Sequence, residues 1–204
     1  MSHISDLEST RRAQILEAAL KTISNAGCSN TTMDDIARAA NLSKGGLTHY
    51  FRSKKTLFKA AFKEFFQRIF LRGEITMAQF EDPLDKLLSF SWLYDRENLD
   101  ADIGYPVLFD FMAIAVHDRE YRILFHNWVE NWINLLKSAL ETGQASGRFA
   151  NLDPEATARA ISAIYQGIAT RWYLDPESHP TEWAIDMAKK AITGLLNEYG
   201  QTPD

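Results

Sequence analysis

The sequence predicts an all-α chain of about nine helices, with a small N-terminal three-helix domain followed by a larger helical one. Three observations carry this prediction. Apolar residues recur at spacings of three and four, the Val/Ile/Thr alternation of strands is missing, and Pro and Gly fall at segment ends.

The first helix is expected over residues 10–26, with Ile15, Ala19, Leu20 and Ile23 inward and Gly27 ending it. Thr32 with Asp35 three residues on is a capping-box variant that opens a short helix through Ile36 and Ala40. Asn41 and Leu42 make a turn, Ser43 caps a third short helix, and Ser53 caps a long fourth one over 54–72. Beyond it, Pro83 starts a helix to residue 94, a polar loop covers 95–104, and Pro106 opens a helix to 116. Asp118 caps a helix to 146, Asp153 and Pro154 open one to Leu174, and Thr181 caps the last, to Tyr199.

With 204 residues, 46% of them apolar, the chain can bury a sizeable core. A run of about 18 apolar residues does not occur and residues 1–9 are polar, so a cytoplasmic protein without a membrane partner is expected. The single cysteine, Cys28, rules out an intramolecular disulfide and a cysteine-rich zinc cluster, and it reads as a small buried apolar residue. The net charge of −5 is unevenly spread. Residues 1–60 hold nine Lys/Arg against five Asp/Glu, whereas the remainder holds 13 against 22. The positive quarter and the negative remainder face different partners.

Two short helices joined by a tight turn, the second polar and basic, form a helix-turn-helix candidate. Ile36, Ala37, Ala40, Leu42, Leu47 and Phe51 pack the pair together and leave Lys44, Gly45, Thr48, His49 and Tyr50 on the outer face, with Ser43 and Gly46 of the same helix start also candidate DNA-binding residues. Lys44 brings a cation to the helix start, and the two glycines let the backbone approach a groove closely. Each glycine costs a helix about 1 kcal/mol relative to Ala, a cost that suggests a use.

The run Thr31–Phe58, TTMDDIARAANLSKGGLTHYFRSKKTLF, resembles the signature of the tetracycline-repressor (TetR) family, with the specific match over roughly residues 10–65. The resemblance implies a DNA-binding domain over 1–56 and a ligand-binding and dimerisation domain over 57–204. It implies a recognition helix from Ser43 to Phe51, phosphate contacts at Thr32 and Lys54, and backbone-bracing roles for His49 and Tyr50. Gly46 and Thr48 depart from the residue types usual there, so base preference does not carry over.

The last two expected helices carry broad apolar stripes, Ala160, Ile164, Gly167 and Ile168 on one and Ala188, Ala191 and Leu195 on the other. Two such hairpins would form a four-helix bundle between two chains, which is also how the family dimerises. The middle helices are rich in aromatics. Phe109, Met112, Tyr121, Phe125 and Trp128, with the carboxylate of Asp110 among them, are the candidate lining of an effector pocket.

These readings converge on a regulator, a repressor by family frequency, released from a palindromic DNA operator by a small apolar or aromatic ligand. No catalytic residue, metal site or cofactor is expected. The rival reading is a helical small-molecule binder or enzyme without DNA binding. An enzyme would need a phosphate loop, metal-spaced histidines or a nucleophile elbow, and the adjacent His117 and Asp118 point about 100° apart on a helix.

Overall fold

The computed structural model describes the backbone of residues 2–200 and the side chains of 7–98 and 100–197. The described residues form α1 (Ser2–Asn30), α2 (Met33–Ala39), α3 (Lys44–Tyr50), α4 (Lys54–Met77), α5 (Pro83–Leu88), a 3-10 turn (Ser91–Tyr94), α6 (Leu99–His117), α7 (Arg119–Ala145), α8 (Pro154–Leu174) and α9 (Thr181–Gly200). The expected all-α class with nine α-helices holds. Two compact units result, Met1–Arg68 with Asp102–Phe125 and Ile69–Ala101 with His126–Asp204. The first takes in more of the chain than 1–56, since α1 with two helices of seven residues buries little surface alone, and Phe58, Phe62 and Phe111 are buried in the same unit.

In the first unit α1 buries Ile15, Ala19, Leu20 and Ile23, the row expected from their spacing. The helix breaks at Gly27, where φ is 80° and ψ is 154°, and resumes as a final turn to Asn30. This is not the left-handed cap expected of a terminating glycine but a conformation that is essentially glycine-only. Thr31 closes the turn by donating its hydroxyl to the Gly27 carbonyl at 2.8 Å. Ser53 caps α4 as expected, accepting from the Thr56 N–H at 3.2 Å. Phe62, Phe66, Phe111, Tyr121 and Phe125 fill the aromatic centre, with ring centroids 4.8 Å apart for the Phe111 pairs with Phe62 and Phe66.

Beyond α4 three expectations are corrected. The helix expected over 83–94 splits into α5 and the 3-10 turn. Ser89 turns its hydroxyl back onto the Lys86 carbonyl at 2.8 Å, a local bond that competes with helix continuation. Helix α6 starts at Leu99, not at Pro106, which lies inside it. Asn98 supplies the start by accepting the Asp100 N–H at 3.0 Å. An interior proline costs a helix about 3 kcal/mol, and the burial of Ile103, Tyr105 and Val107 around it offsets that cost. Thr181 does not cap α9 with its side chain. Its hydroxyl donates to the Tyr94 carbonyl and accepts the Trp172 indole N–H, both at 3.0 Å, tying the 3-10 turn, α8 and α9 together. Asp118 and Asp153 cap α7 and α8 as expected.

Candidate nucleic-acid and effector sites

Helix α2 opens with a complete capping box: Thr32 accepts the Asp35 N–H at 3.2 Å while Asp35 accepts the Thr32 N–H at 3.0 Å and its hydroxyl at 2.5 Å. Those bonds, the Thr32 hydroxyl first, hold the Asp35 carboxyl below its ordinary range. The Thr32 side chain is thus committed to Asp35, and a phosphate here would meet the start of α2 through groups not engaged by the box. Asn41, at φ 52°, turns the chain toward Ser43, whose hydroxyl accepts the Gly46 N–H at 3.1 Å and starts α3.

Leu47 is fully buried and Ile36 and Ala37 face it from α2, so the opposite side of α3 lies open. Lys44, Gly45, Thr48 and His49 are exposed there, and Gly46 and Tyr50 are half-buried. Lys44 pairs with Asp34 at 3.1 Å, but both side chains stand more than half in solvent, so the pair is weak and the ammonium is available to a phosphate. Thr48 returns its hydroxyl to the Lys44 carbonyl at 2.8 Å, leaving its methyl as the more accessible contact for a thymine methyl. His49 and Tyr50 stack edge to face at 5.4 Å.

Lys54 lies half-buried with its ammonium 5.1 Å over the Phe58 ring, at the first turn of α4. Replacing it with Ala is expected to weaken binding to all duplexes alike and to reduce the salt slope by about one unit, which retardation at graded salt would measure. Two arginines beside α3 escaped the sequence reading. Arg11 donates to the Asn41 carbonyl at 3.3 Å in the turn between α2 and α3, and Arg12 stacks its guanidinium 4.5 Å over Phe51 at the end of α3. The only sequence signal for them was the positive surplus of residues 1–60.

The base of α4 is clamped to the α6–α7 junction. Lys55 binds Asp118 and Glu120 at 2.8 Å each, Lys59 also reaches Glu120, and the Tyr121 hydroxyl donates to the Lys55 carbonyl at 3.4 Å. The hydrogen bond from Lys55 is the main cause that lowers both carboxyl pKa values, and the pair in turn raises that of Lys55. Carboxyls with depressed folded pKa values contribute stability above their ordinary range and lose it as pH falls through the folded values. Lys55→Met should therefore flatten the loss of thermal stability on acidification below about pH 5, measured by unfolding across a pH series.

The expected effector residues are distributed unevenly. Tyr121 is buried, and with Phe125 it packs on Phe111 in the aromatic centre rather than on a free surface. Burial pushes its phenol up to about 12. Phe109, Met112 and Trp128 are half-buried, and Trp128 belongs to the second unit. Asp110 places Oδ2 2.5 Å from the Cys28 N–H, so one carboxylate oxygen already serves the turn after Gly27. Burial, and then the Asp110 charge, push the Cys28 thiol up to about 12, which keeps it protonated and unreactive at neutral pH.

Helices α8 and α9 pack on each other, and α9 also packs on α5 and the 3-10 turn; Ala158, Ile161, Tyr165 and Trp172 of α8 and Ala184, Ala188, Ile192 and Leu196 of α9 are buried, with Tyr165 donating its hydroxyl to the Leu87 carbonyl of α5 at 2.6 Å. Ala188 is therefore an inner residue of the protomer, because spacing by four places it in the buried row of α9. Ala160, Ile164, Gly167 and Ile168 on α8 and Leu195 on α9 remain half-exposed, and Ala191 is exposed. Among the described residues no helix is long and apolar enough to cross a membrane, and no three His, Cys, Asp or Glu gather to hold a metal.

Comparison with known proteins matches residues 15–61 to the family model of bacterial regulatory proteins of the tetR family, and residues 96–197 to that of the BetI-type transcriptional repressor C-terminal domain. The HTH-type transcriptional regulator BetI of Burkholderia thailandensis is 28% identical over 195 residues, spanning 91% of this chain and 93% of its own. The uncharacterized HTH-type transcriptional regulator YhgD of Bacillus subtilis is 27% identical over 193 residues, 93% and 94% of the two chains. Among solved structures, a transcriptional regulator from Saccharomonospora viridis in complex with choline superposes with a TM-score of 0.79, at 20% identity over 93% of this chain and 96% of that one.

Proposed function

This chain belongs to the TetR family of bacterial transcriptional regulators, and on that premise we propose that it is a cytoplasmic, homodimeric repressor that releases a palindromic operator when a small ligand binds its C-terminal helices. The observation that carries the DNA-binding part is α3: a helix of seven residues, capped by Ser43, buried through Leu47 and presenting Lys44, Thr48 and His49 outward. Two copies about 34 Å apart fit successive major grooves of a duplex. The half-exposed rows of α8 and α9 supply the faces that bring two copies together.

The effector is a small molecule with an apolar or aromatic body, and a positive charge is favoured. Aromatic side chains cluster at the centre of the first unit, and a neighbour of the same fold is solved with choline, an organic cation. Ligand binding favours a conformer in which α4 shifts. The clamp from Lys55 and Lys59 to Asp118 and Glu120 joins the start of that helix to the α6–α7 junction. The ligand lowers operator affinity only by its differential affinity for the two conformers. Retardation of a palindromic duplex from the DNA flanking its own gene, with candidate cations, neutral aromatics and anions added in turn, tests the reading. A shift reversed by a cation or neutral aromatic is expected; release by polar anions alone would contradict the effector class, and the lack of any shift would contradict the DNA-binding role.

A further inference from the structure

Asp110 stands on α6, yet its Oδ2 accepts the Cys28 N–H at 2.5 Å, 82 positions away in the chain. Cys28 opens the last turn of α1, beyond the break at Gly27. The carboxylate lies against the bare face of that glycine, where a Cβ would come within 3.3 Å of Oδ2. The other end of the turn is tied down as well. The Thr31 N–H and hydroxyl both donate to the Gly27 carbonyl, at 3.1 and 2.8 Å, and the hydroxyl lies 3.4 Å from the Thr22 carbonyl. Thr31 is buried, and Thr32 beside it is the cap of α2. Helix α2 packs on α1, and α3 packs on α2. A single turn beyond a break draws little support from the helix before it, because helical order spreads through consecutive bonds. An acceptor brought in from another helix therefore does much to fix it, and all these groups belong to the first compact unit.

We propose that Asp110 is a positioning residue for operator binding: its carboxylate oxygen fixes the turn after Gly27 and, through Thr31 and Thr32, the start of α2 and the aim of α3. Resting on the reading of α3 as the recognition helix, this role moves Asp110 from the expected effector pocket to the DNA-binding unit. A displacement of α6 then reaches α2 by a route separate from the Lys55 and Lys59 clamp at the base of α4. The role belongs to the acceptor and not to the charge. Electrostatics alone gives the opposite sign, since removing a negative charge from a DNA-binding unit strengthens its attraction to a polyanion. A purely structural bond would change the stability of the protein and leave the affinity of its folded molecules for DNA untouched.

The test is retardation, at graded salt, of a palindromic duplex selected from randomised DNA, using full-length wild type, Asp110→Asn, Asp110→Val and Ile133→Val. Each protein is held at a temperature where its unfolding curve shows it fully folded. Asp110→Val, which lacks the acceptor, should bind at least about tenfold more weakly than wild type. Its salt slope should be unchanged, because no phosphate contact is lost. Asp110→Asn keeps an acceptor without the charge and should bind within about threefold of wild type, or more tightly. Ile133→Val, a mild core change in the second unit, should stay within about twofold. Wild-type affinity in Asp110→Val, an equal loss in Asp110→Asn, or an equal loss in Ile133→Val would each overturn the role. If Asp110→Val fails to fold, Asp110→Ala, with the better helix former, takes its place under the same criteria. A wild type that enriches no DNA sequence brings down the DNA-binding reading and this role with it. A duplex retarded equally by every variant leaves that reading standing and removes this role alone.

Discussion

Ile164→Glu is expected to convert the proposed dimer to monomers and to lower operator affinity by on the order of a hundredfold or more. Ile164 lies with Ala160, Gly167 and Ile168 on the half-exposed row of α8, and its partner across the proposed interface is the same row of a second chain. A carboxylate at this half-exposed position can reach solvent in the monomer but is unpaired and desolvated in the proposed dimer, so the cost falls mainly on association. One recognition helix then has only its own half-site to hold. Ala191→Glu on α9 should act likewise. Ala188→Glu should behave differently, because Ala188 is 4% exposed and packs within the protomer. Its charge would cost protomer stability, roughly 3 kcal/mol or more, before any question of assembly arises. Sedimentation equilibrium with urea unfolding separates the two behaviours; an Ile164→Glu protein that remains dimeric at micromolar concentration would reject this interface.

Gly27→Val should cost stability by about 1–3 kcal/mol from the backbone alone, since φ 80° with ψ 154° is a region that a β-branched residue avoids. A Cβ there also comes within 3.3 Å of Asp110 Oδ2, the oxygen that accepts the Cys28 N–H. Asp110→Val removes that acceptor and leaves a partly buried donor unmatched, at about 1–3 kcal/mol. Asp110→Asn keeps a carbonyl oxygen in place and should cost less than about 1 kcal/mol. Because both sites act on one turn, the double substitution Gly27→Val with Asp110→Val should cost less than the sum of the two singles. Urea unfolding of the set reads this out. Equal losses for Asp110→Asn and Asp110→Val would show that the charge, and not the acceptor, matters at this position.

What the sequence made legible was local. The capping box at Thr32, the caps at Ser43, Ser53, Asp118 and Asp153, and the inward row of α1 depend on residues within a few positions of one another, and all stand as read. What failed depended on distant partners. Thr181 had the residue type of a cap, but Tyr94 and Trp172, remote in sequence, claim its hydroxyl. Pro106 had the type of a helix start, but burial of its neighbours carries α6 through it. The α9 stripe was correctly apolar, yet only packing against α8, α5 and the 3-10 turn divides it into Ala188 inward and Ala191 and Leu195 outward. Asp110 drew notice as a carboxylate among phenylalanines, and its bond to a backbone N–H 82 positions away has no sequence signature.

The central claim is that two copies of α3 read one duplex. Selection of bound sequences from randomised double-stranded DNA by the full-length protein, followed by sequencing, tests it most directly. An enriched palindrome is expected, with half-site centres about one helical turn, roughly 10 base pairs, apart or a multiple of that. Enrichment of a single unpaired half-site, or of no sequence over the starting pool, would contradict it.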